Sequence, residues 1–379
     1  MKNILVLNYE FPPLGGGASP VSYEISKGYV SLGYCVDVVT MGFKDLPNFE
    51  IVEGINVYRV KCLRTKKQLC HPWEQATYLY SAYMKVKDLM KDKKYDFCHC
   101  HFIIPTGFLA LKLKKEFGLN YIITAHGSDV LGHNPRFTFL YKLIKKQWIN
   151  IINNSEKVVS PSKYLGNKII QYLGSKDKVI VIPNGIDKDK FVPLEKQKYI
   201  LVVARLVHGK GIQDLLESIK DINLGEWRIK IVGEGPFRGE LDKIVEKYSL
   251  QDKVEFLGWV DNQSKEMKNL YGHASIFCQP SYFESFGMTL LEAMQSGCLL
   301  IVRKLQVYDD IIGNNGNLKF KNNNDLAMIL KNINTNKIEL VGMRNIDLVK
   351  GFYWDSTVTK YENISQKIKF SSIKNDEEI

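Results

Sequence analysis

Short aliphatic and β-branched runs recur along this chain, and most are followed by a stretch long enough for a helix. Lys2 to Asn8, Cys35 to Thr40, Ile55 to Val60, Phe97 to Phe102, Tyr121 to Ala125, Lys157 to Ser160 and Val179 to Ile182 read as strands. The first contains Ile4-Leu5-Val6-Leu7, a continuous apolar run of the kind a strand shows when both its faces are buried. Strand–helix alternation predicts a mostly parallel sheet covered on both faces. After Pro183-Asn184-Gly185-Ile186-Asp187 the pattern restarts, with strands at Tyr199 to Ala204, Arg228 to Val232, Val254 to Leu257, Ser275 to Cys278 and Leu299 to Val302. A length of 379 residues suits two such α/β domains. The expected division is 1–187 and 188–355, with the polar stretch 188–198 as a linker and a flexible tail over 372–379.

No apolar run approaches the ~20 residues of a membrane span, and none of leader length follows Met1-Lys2-Asn3, so the chain is expected in the cytoplasm. Seven scattered cysteines are too few and too irregular for a disulfide framework. Cys98-His99-Cys100-His101 invites a metal reading, but on a strand the thiols face one side and the imidazoles the other, so no metal is expected there. A net charge of +11 fits nucleic acid, an anionic membrane, a phosphorylated substrate or simply a solvated surface.

In open parallel sheets, ligands collect at the carboxyl ends of the strands. The unusual loops sit at such ends: Gly15-Gly16-Gly17, His126-Gly127-Ser128-Asp129, Arg205, Gly233-Glu234-Gly235-Pro236 and Glu284. If the two sheets face each other, these loops line one cleft. Glu284 and Glu292 are eight steps apart in PSYFESFGMTLLE, about 12 Å along a helix. Carboxylates that share one bond-cleaving centre in a retaining glycosidase stand only ~5 Å apart. A clamp on the two ends of a long ligand fits better, with the helix start at Phe286 to Thr289 offering amides to phosphate between them. The plainer alternative makes Glu284 a complement to the helix dipole and Glu292 a solvated helix residue. Arg205 and Lys210 follow a buried strand and suit a diphosphate, whose developing charge fixed cations stabilise. Gly15-Gly16-Gly17 is either a flexible turn or a close backbone approach to ligand, and it lacks the dinucleotide spacing G-x-G-x-x-G. His126 is either structural or a hydrogen-bonding partner for a sugar hydroxyl or a developing charge.

Taken in order, Pro12-Pro13-Leu14-Gly15-Gly16-Gly17, His126-Gly127-Ser128-Asp129, Pro183-Asn184-Gly185-Ile186-Asp187, Arg205 with Lys210, Val232-Gly233-Glu234-Gly235-Pro236, Phe256-Leu257-Gly258 and the E-x7-E pair resemble the retaining nucleotide-sugar glycosyltransferases of family four. That resemblance implies the GT-B fold, two Rossmann-like domains facing across a cleft. It implies Glu284 at hydroxyls of the donor sugar, Glu292 at the ribose, and Arg205 and Lys210 at the diphosphate. The amides of Ser285, Phe286, Gly287, Met288 and Thr289 and the Gly16-Gly17 loop would assist, with Gly233 and Gly235 also on the donor side and Leu257 to Val260 along the base. His126 would sit beside the transferred sugar, and Asp129 and Asn184 on the acceptor side. It further implies no cofactor or metal, retained anomeric configuration, a UDP-sugar donor with GDP-mannose second, and an acceptor that is a glycan or lipid-linked, as in cell-surface polysaccharide or glycolipid synthesis. A last helix, about 356–371, would cross back onto the first domain.

The chain departs from the family after Gly297, where Arg303 and Lys304 replace a glycine-containing loop; they would alter donor choice or add cationic contacts. Lys112-Leu113-Lys114-Lys115 and the basic, aromatic stretch from Arg136 to Trp148 suggest peripheral contact with an anionic bilayer, against the alternative of a core-facing helix with a basic outer face. Two rival functions remain: a nucleotide-sugar epimerase or hydrolase of the same shape, and a non-catalytic anion or nucleic-acid binder. No nucleic-acid module supports the last, so no nucleic acid is expected as a partner.

Overall fold

The computed structural model describes residues 2–67, 69–133 and 138–376. The chain divides into two compact units, Met1–Gly185 with Trp354–Ile379, and Ile186–Tyr353.

Unit 1 is built on eight described strands: β1 (Lys2–Leu7), β2 (Tyr34–Met41), β3 (Phe49–Val52), β4 (Ile55–Val60), β5 (Phe97–His101), β6 (Tyr121–Thr124), β7 (Val158–Ser160) and β8 (Val179–Val181). Their order is β3-β4-β2-β1-β5-β6-β7-β8, parallel except for the β3–β4 hairpin. The sequence pattern missed β3, an edge strand with Phe49 and Ile51 exposed. The hairpin turns on Glu53 and Gly54, both at positive φ, the geometry of a two-residue loop between twisted strands. Helices α1 (Ala18–Ser31), α2 (Pro72–Asp92), α3 (Thr106–Phe117), α4 (Thr138–Asn154) and α5 (Lys163–Leu173) accompany the sheet. Strands β1 and β5 diverge in connectivity, so the crevice at their carboxyl ends is where a ligand is expected.

Unit 2 carries β9 (Gln197–Val203), β10 (Arg228–Val232), β11 (Val254–Gly258), β12 (Ala274–Gln279), β13 (Leu299–Arg303) and β14 (Leu318–Phe320) in the order β11-β10-β9-β12-β13-β14, all parallel. Numbered within the unit this is 3-2-1-4-5-6, the doubly wound order with its switch point between β9 and β12. Helices α6 (Ile212–Ser218), α7 (Arg238–Lys247), α8 (Lys265–His273), α9 (Met288–Gln295), α10 (Gln306–Ile312), α11 (Asn323–Lys331) and α12 (Thr335–Val349) belong to it.

The stretch 188–196 is no free linker. Phe191 is fully buried, with its amide on Gln295 Oε1 at 2.9 Å, and Leu194 donates to the Gly272 carbonyl. Lys196 Nζ donates to the carbonyls of Gly272, Ala274 and Ser296, a nest that burial makes unfavourable for charge, so its pKa falls. Polar composition misled here because the head of one lysine satisfies three carbonyls of the unit.

The last helix, α13 (Trp354–Asp376), belongs to unit 1. Tyr361 Oη meets Thr124 Oγ1 at 2.9 Å, and a Cβ on Gly28 would fall 2.3 Å from Val358, so α1 and α13 pack backbone-close at that glycine. The helix continues through 376, so the tail expected from 372 is helical that far; 377–379 lie outside the described residues.

Candidate functional site

The unit 2 switch point brings the carboxyl ends of β9 and β12 together, and with them Arg205, Lys210 and Glu284. Strand β9 leads through Arg205 into a short 3-10 turn, His208–Lys210. That loop is locked to its neighbours by glycines that tolerate no side chain. A Cβ on Gly233 would sit 1.9 Å from the Ala204 carbonyl oxygen, one on Gly235 2.2 Å from that of Leu206, and one on Gly211 2.1 Å from that of Pro280. The Leu206 amide reaches the Glu234 carbonyl, and the Tyr282 amide that of Gly209. Gly233 and Gly235 are therefore required by loop-on-loop packing, a different reason from the ligand contact expected of them.

Lys210 Nζ donates to Glu284 Oε1, which also accepts from Gln279 Nε2 at 3.0 Å and Ser281 Oγ at 2.9 Å. The Glu284 side chain is 12% exposed. Burial by itself raises its pKa, but the Lys210 ammonium and the hydrogen bonds from Lys210, Ser281 and Gln279 outweigh it and hold the carboxyl below its usual range. Glu284 is thus a fixed anion. Arg205 is exposed and makes no ion pair among the described residues, so its fork is open to an anion.

Glu292 lies inside α9 and is buried. Tyr271 Oη donates to its Oε2 at 2.6 Å and Asn262 Nδ2 to its Oε1 at 2.9 Å. Burial raises its pKa against those two hydrogen bonds and the Lys190 charge. The solvated-helix alternative for Glu292 is therefore excluded. No side chain caps α9; its N-cap is Gly287 at φ 109°, a left-handed conformation that favours glycine. Phe286 is buried, 6.2 Å from the Phe352 ring, while Ser285, Met288 and Thr289 are half-buried around the helix start. Leu257 is the penultimate residue of β11, and Val260 is buried two residues past β11 beside an exposed Trp259.

Arg303 adds no free cation. It pairs with Asp214, donates to the Pro280 carbonyl at 3.0 Å and stacks on Tyr282 and Phe320. It ties β13, α6 and the loop before Glu284 into one block, whereas Lys304 is exposed. Gln279, Ser281, Tyr271, Asn262 and Asp214 escaped the sequence reading because only the fold pairs them with their carboxylates or cation.

In unit 1 the glycine loop opens α1. A Cβ on Gly16 or Gly17 would meet nothing within 4 Å, so the packing leaves open space there. Glu10 folds beneath the loop, and its Oε2 accepts from the Gly16 amide at 3.2 Å. That carboxylate makes the loop a poorer anion site than its glycines suggested. Asp129 is a staple: its carboxylate takes the amides of Ile103, His126 and Gly127 at 2.7–2.9 Å, leaving it little capacity as an acceptor-side contact. Asn184 is buried before the chain enters unit 2. His126 stacks on His101 and packs tilted against Phe102, and its Nε2 lies 3.1 Å from His101 Nδ1. Burial holds it neutral, with its pKa at about 3. Cys98 and Cys100 join the hydrophobic core, while His99 and His101 face the other side of β5.

Trp148 is fully buried, donating to the Asp129 carbonyl, and Lys114 is held by Asn154 and Glu156. Neither is available to a bilayer, while Arg136 and Phe137 lie outside the described residues. Exposed apolar side chains include Leu143 of α4, beside exposed Lys145 and Lys146, and also Trp73, Tyr80 and Met84 on one face of α2, where the Leu63 amide binds Thr77.

Residues 15–190 match the model of the Glycosyltransferase Family 4, and residues 184–340 that of the glycosyl transferases group 1. An uncharacterized glycosyltransferase of Methanocaldococcus jannaschii is 29% identical over 332 residues, 82% of each chain. The phosphatidylinositol N-acetylglucosaminyltransferase gpi3 subunit of Schizosaccharomyces pombe is 26% identical over 79% of this chain and 65% of its own. Among solved structures, the sucrose-phosphate synthase of Thermosynechococcus elongatus superposes with a TM-score of 0.82 at 19% identity, covering 98% of this chain and 100% of that one. The Anabaena protein HepE, in complex with UDP and glucose, superposes at 0.76 and 17% identity, covering 98% and 99%. These neighbours share the fold of two parallel-sheet α/β domains found in GT-B glycosyltransferases.

Proposed function

This chain is a glycosyltransferase of the group 1 type, and from that premise we propose that it moves a sugar, with retention, from a nucleotide-diphosphate sugar to a hydroxyl of a glycan or lipid-linked acceptor. The observation that carries the reading is the Lys210–Glu284 pair at the unit 2 switch point, with Arg205 exposed on the same loop. Glu284, ionised and oriented by Gln279 and Ser281, accepts hydrogen bonds from sugar hydroxyls. Arg205 and Lys210 take the charge that builds on the diphosphate as the glycosidic bond breaks, the part of the reaction where fixed cations are most effective. With that charge met by side chains, no metal is assigned a step. Glu292, within reach of Tyr271 and Asn262, receives the ribose.

A UDP-sugar is the favoured donor, in keeping with the UDP bound to HepE, and GDP-mannose is second. The site of action is the cytoplasmic side, with unit 1 in peripheral contact with an anionic membrane through α2. No helix among the described residues is long and apolar enough to cross a membrane. From 61 to 92 the chain has seven basic residues against Glu74, Asp88 and Asp92; Arg64 is buried on the carbonyls of Tyr9 and Lys67, and Glu74 is turned inward onto Thr65 and His71.

The test is a thermal-shift panel of UDP-, GDP-, ADP- and CMP-sugars followed by product analysis. A donor at a hundred times its Kd stabilises by about 2.7 kcal/mol, roughly 5 °C or more for a unit of this size. Turnover that requires an acceptor hydroxyl supports transfer. Free sugar or an epimer formed without acceptor supports the hydrolase or epimerase instead, and stabilisation by none of the panel overturns the nucleotide-sugar reading.

A further inference from the structure

Beside the partly buried His126, β5 places a fully buried histidine that the reaction as described does not use. His101 is fully buried; its Nδ1 faces His126 Nε2 at 3.1 Å, and its ring lies 5.3 Å from that of His126 at an interplanar angle of 21°. On its other side it stacks on His99, 4.4 Å away, whose own nitrogens are taken by Thr124 Oγ1 at 2.8 Å and Tyr29 Oη at 3.2 Å. His101 Nε2 is buried and has no hydrogen-bond partner.

That orphan atom decides where the shared proton sits. Two neutral imidazoles joined by one hydrogen bond have one proton between them. If His126 donated, His101 would have to carry its own proton on Nε2, leaving a buried N–H with no acceptor. If His101 Nδ1–H donates, Nε2 is only an unused lone pair. Orphaned buried donors are rarer than under-used acceptors, and an unmade donor bond carries the larger penalty. The second arrangement obliges the neutral His126 to carry its proton on Nδ1, the ring nitrogen that is not engaged with His101. We infer that His101 is a positioning residue that fixes His126 as its Nδ1–H tautomer, so that His126 offers a neutral hydrogen-bond donor to a substrate oxygen that reaches unit 1. Burial of all three rings opposes protonation, and the charges of His99 and His126 would add to the opposition at His101. His126 then acts as a dipole and not as a proton shuttle. This rests on the transferase reading in placing a substrate oxygen at His126; the tautomer itself does not.

The experiment is long-range ¹⁵N–¹H NMR on the full chain labelled at histidine, with turnover measured in parallel. Wild type is expected to show His126 protonated at Nδ1 and unprotonated at Nε2, with no titration from pH 6 to 8. H101F removes the donor: His126 moves toward the Nε2–H form, and kcat falls about ten- to a hundredfold with the donor KM little changed. H101N supplies an amide N–H near the old Nδ1 and restores both. An Nε2–H tautomer in wild type overturns the inference, as does an unchanged pattern in H101F. Should H101F fail to fold, the wild-type and H101N spectra still decide. H126A with normal turnover would instead count against the role of His126 in transfer, leaving the tautomer result standing.

Discussion

Replacing Lys210 with methionine removes the ammonium while keeping most of the stem, and it should convert Glu284 from a stabilised anion into a stranded one. In the wild type the carboxyl is held below its usual range despite burial, so its contribution to stability is present above the ordinary glutamate pKa and is lost as pH falls through the lower folded value. Without Lys210 the burial that already acts on Glu284 is opposed only by Ser281 and Gln279. The folded pKa then moves above the unfolded one, and the sign reverses: stability is lost as pH rises. Removing one member of a buried pair costs about 3–5 kcal/mol. Two hydrogen bonds remain, so the lower end, about 3 kcal/mol at pH 8, is expected. At pH 5 Glu284 can take up a proton, and the deficit should shrink to about 1 kcal/mol, a difference of one to two pKa units at 1.36 kcal/mol each. Calorimetry at both pH values reads this as a depression of the unit 2 transition by roughly 6–12 °C at pH 8 and a few degrees at pH 5. A deficit independent of pH would refute the electrostatic account and leave packing of the lysine stem as the cause. Sugar transfer should be lost at both pH values.

Gly233→Ala puts a methyl 1.9 Å from the Ala204 carbonyl at φ 132°, and should destabilise unit 2 by about 2–4 kcal/mol, read as a lowered denaturant midpoint; a loss below 1 kcal/mol would show that the loops are free to part. Glu292→Gln removes a carboxyl whose raised pKa makes the ionised form a burden as pH rises, so stability at pH 8 should hold or improve while nucleotide affinity by calorimetric titration drops about tenfold. Trp73→Ser with Tyr80→Ser on the exposed face of α2 should abolish flotation with anionic vesicles while leaving transfer to a soluble acceptor unchanged; unaltered flotation would place membrane contact elsewhere.

The two sheets were legible because continuous apolar runs such as Leu299 to Val302 state burial on both faces directly, and few other folds accept so many of them. The edge strand Phe49–Val52 was not, since half of its residues face solvent and a four-residue run carries little periodicity. In the site, Glu284, Arg205, Lys210 and Glu292 could be nominated from residue type and spacing. Their partners could not: Gln279 and Ser281 are ordinary polar residues until β12 bends over Glu284, and Tyr271 reaches Glu292 from a different helix. The glycines show the converse failure. Gly233 and Gly235 drew notice for ligand contact, but the clash distances give them a steric reason that a one-dimensional pattern cannot separate from binding. The side that Trp148 takes was left open for a similar reason, because basic neighbours along the sequence say nothing about which face of α4 a ring takes; its burial fits the core-facing alternative.

The Lys210–Glu284 pair has a consequence for how binding responds to salt. A cation already neutralised inside the protein holds few counter-ions to release, whereas the exposed guanidinium of Arg205 is screened by them. Raising ionic strength should therefore weaken donor binding with the slope of about one charge, not two, and Arg205→Gln should flatten that slope almost completely. The two cations read from one loop are electrostatically unequal partners: one is a fixed part of the wall, and the other carries the attraction that extends into solution.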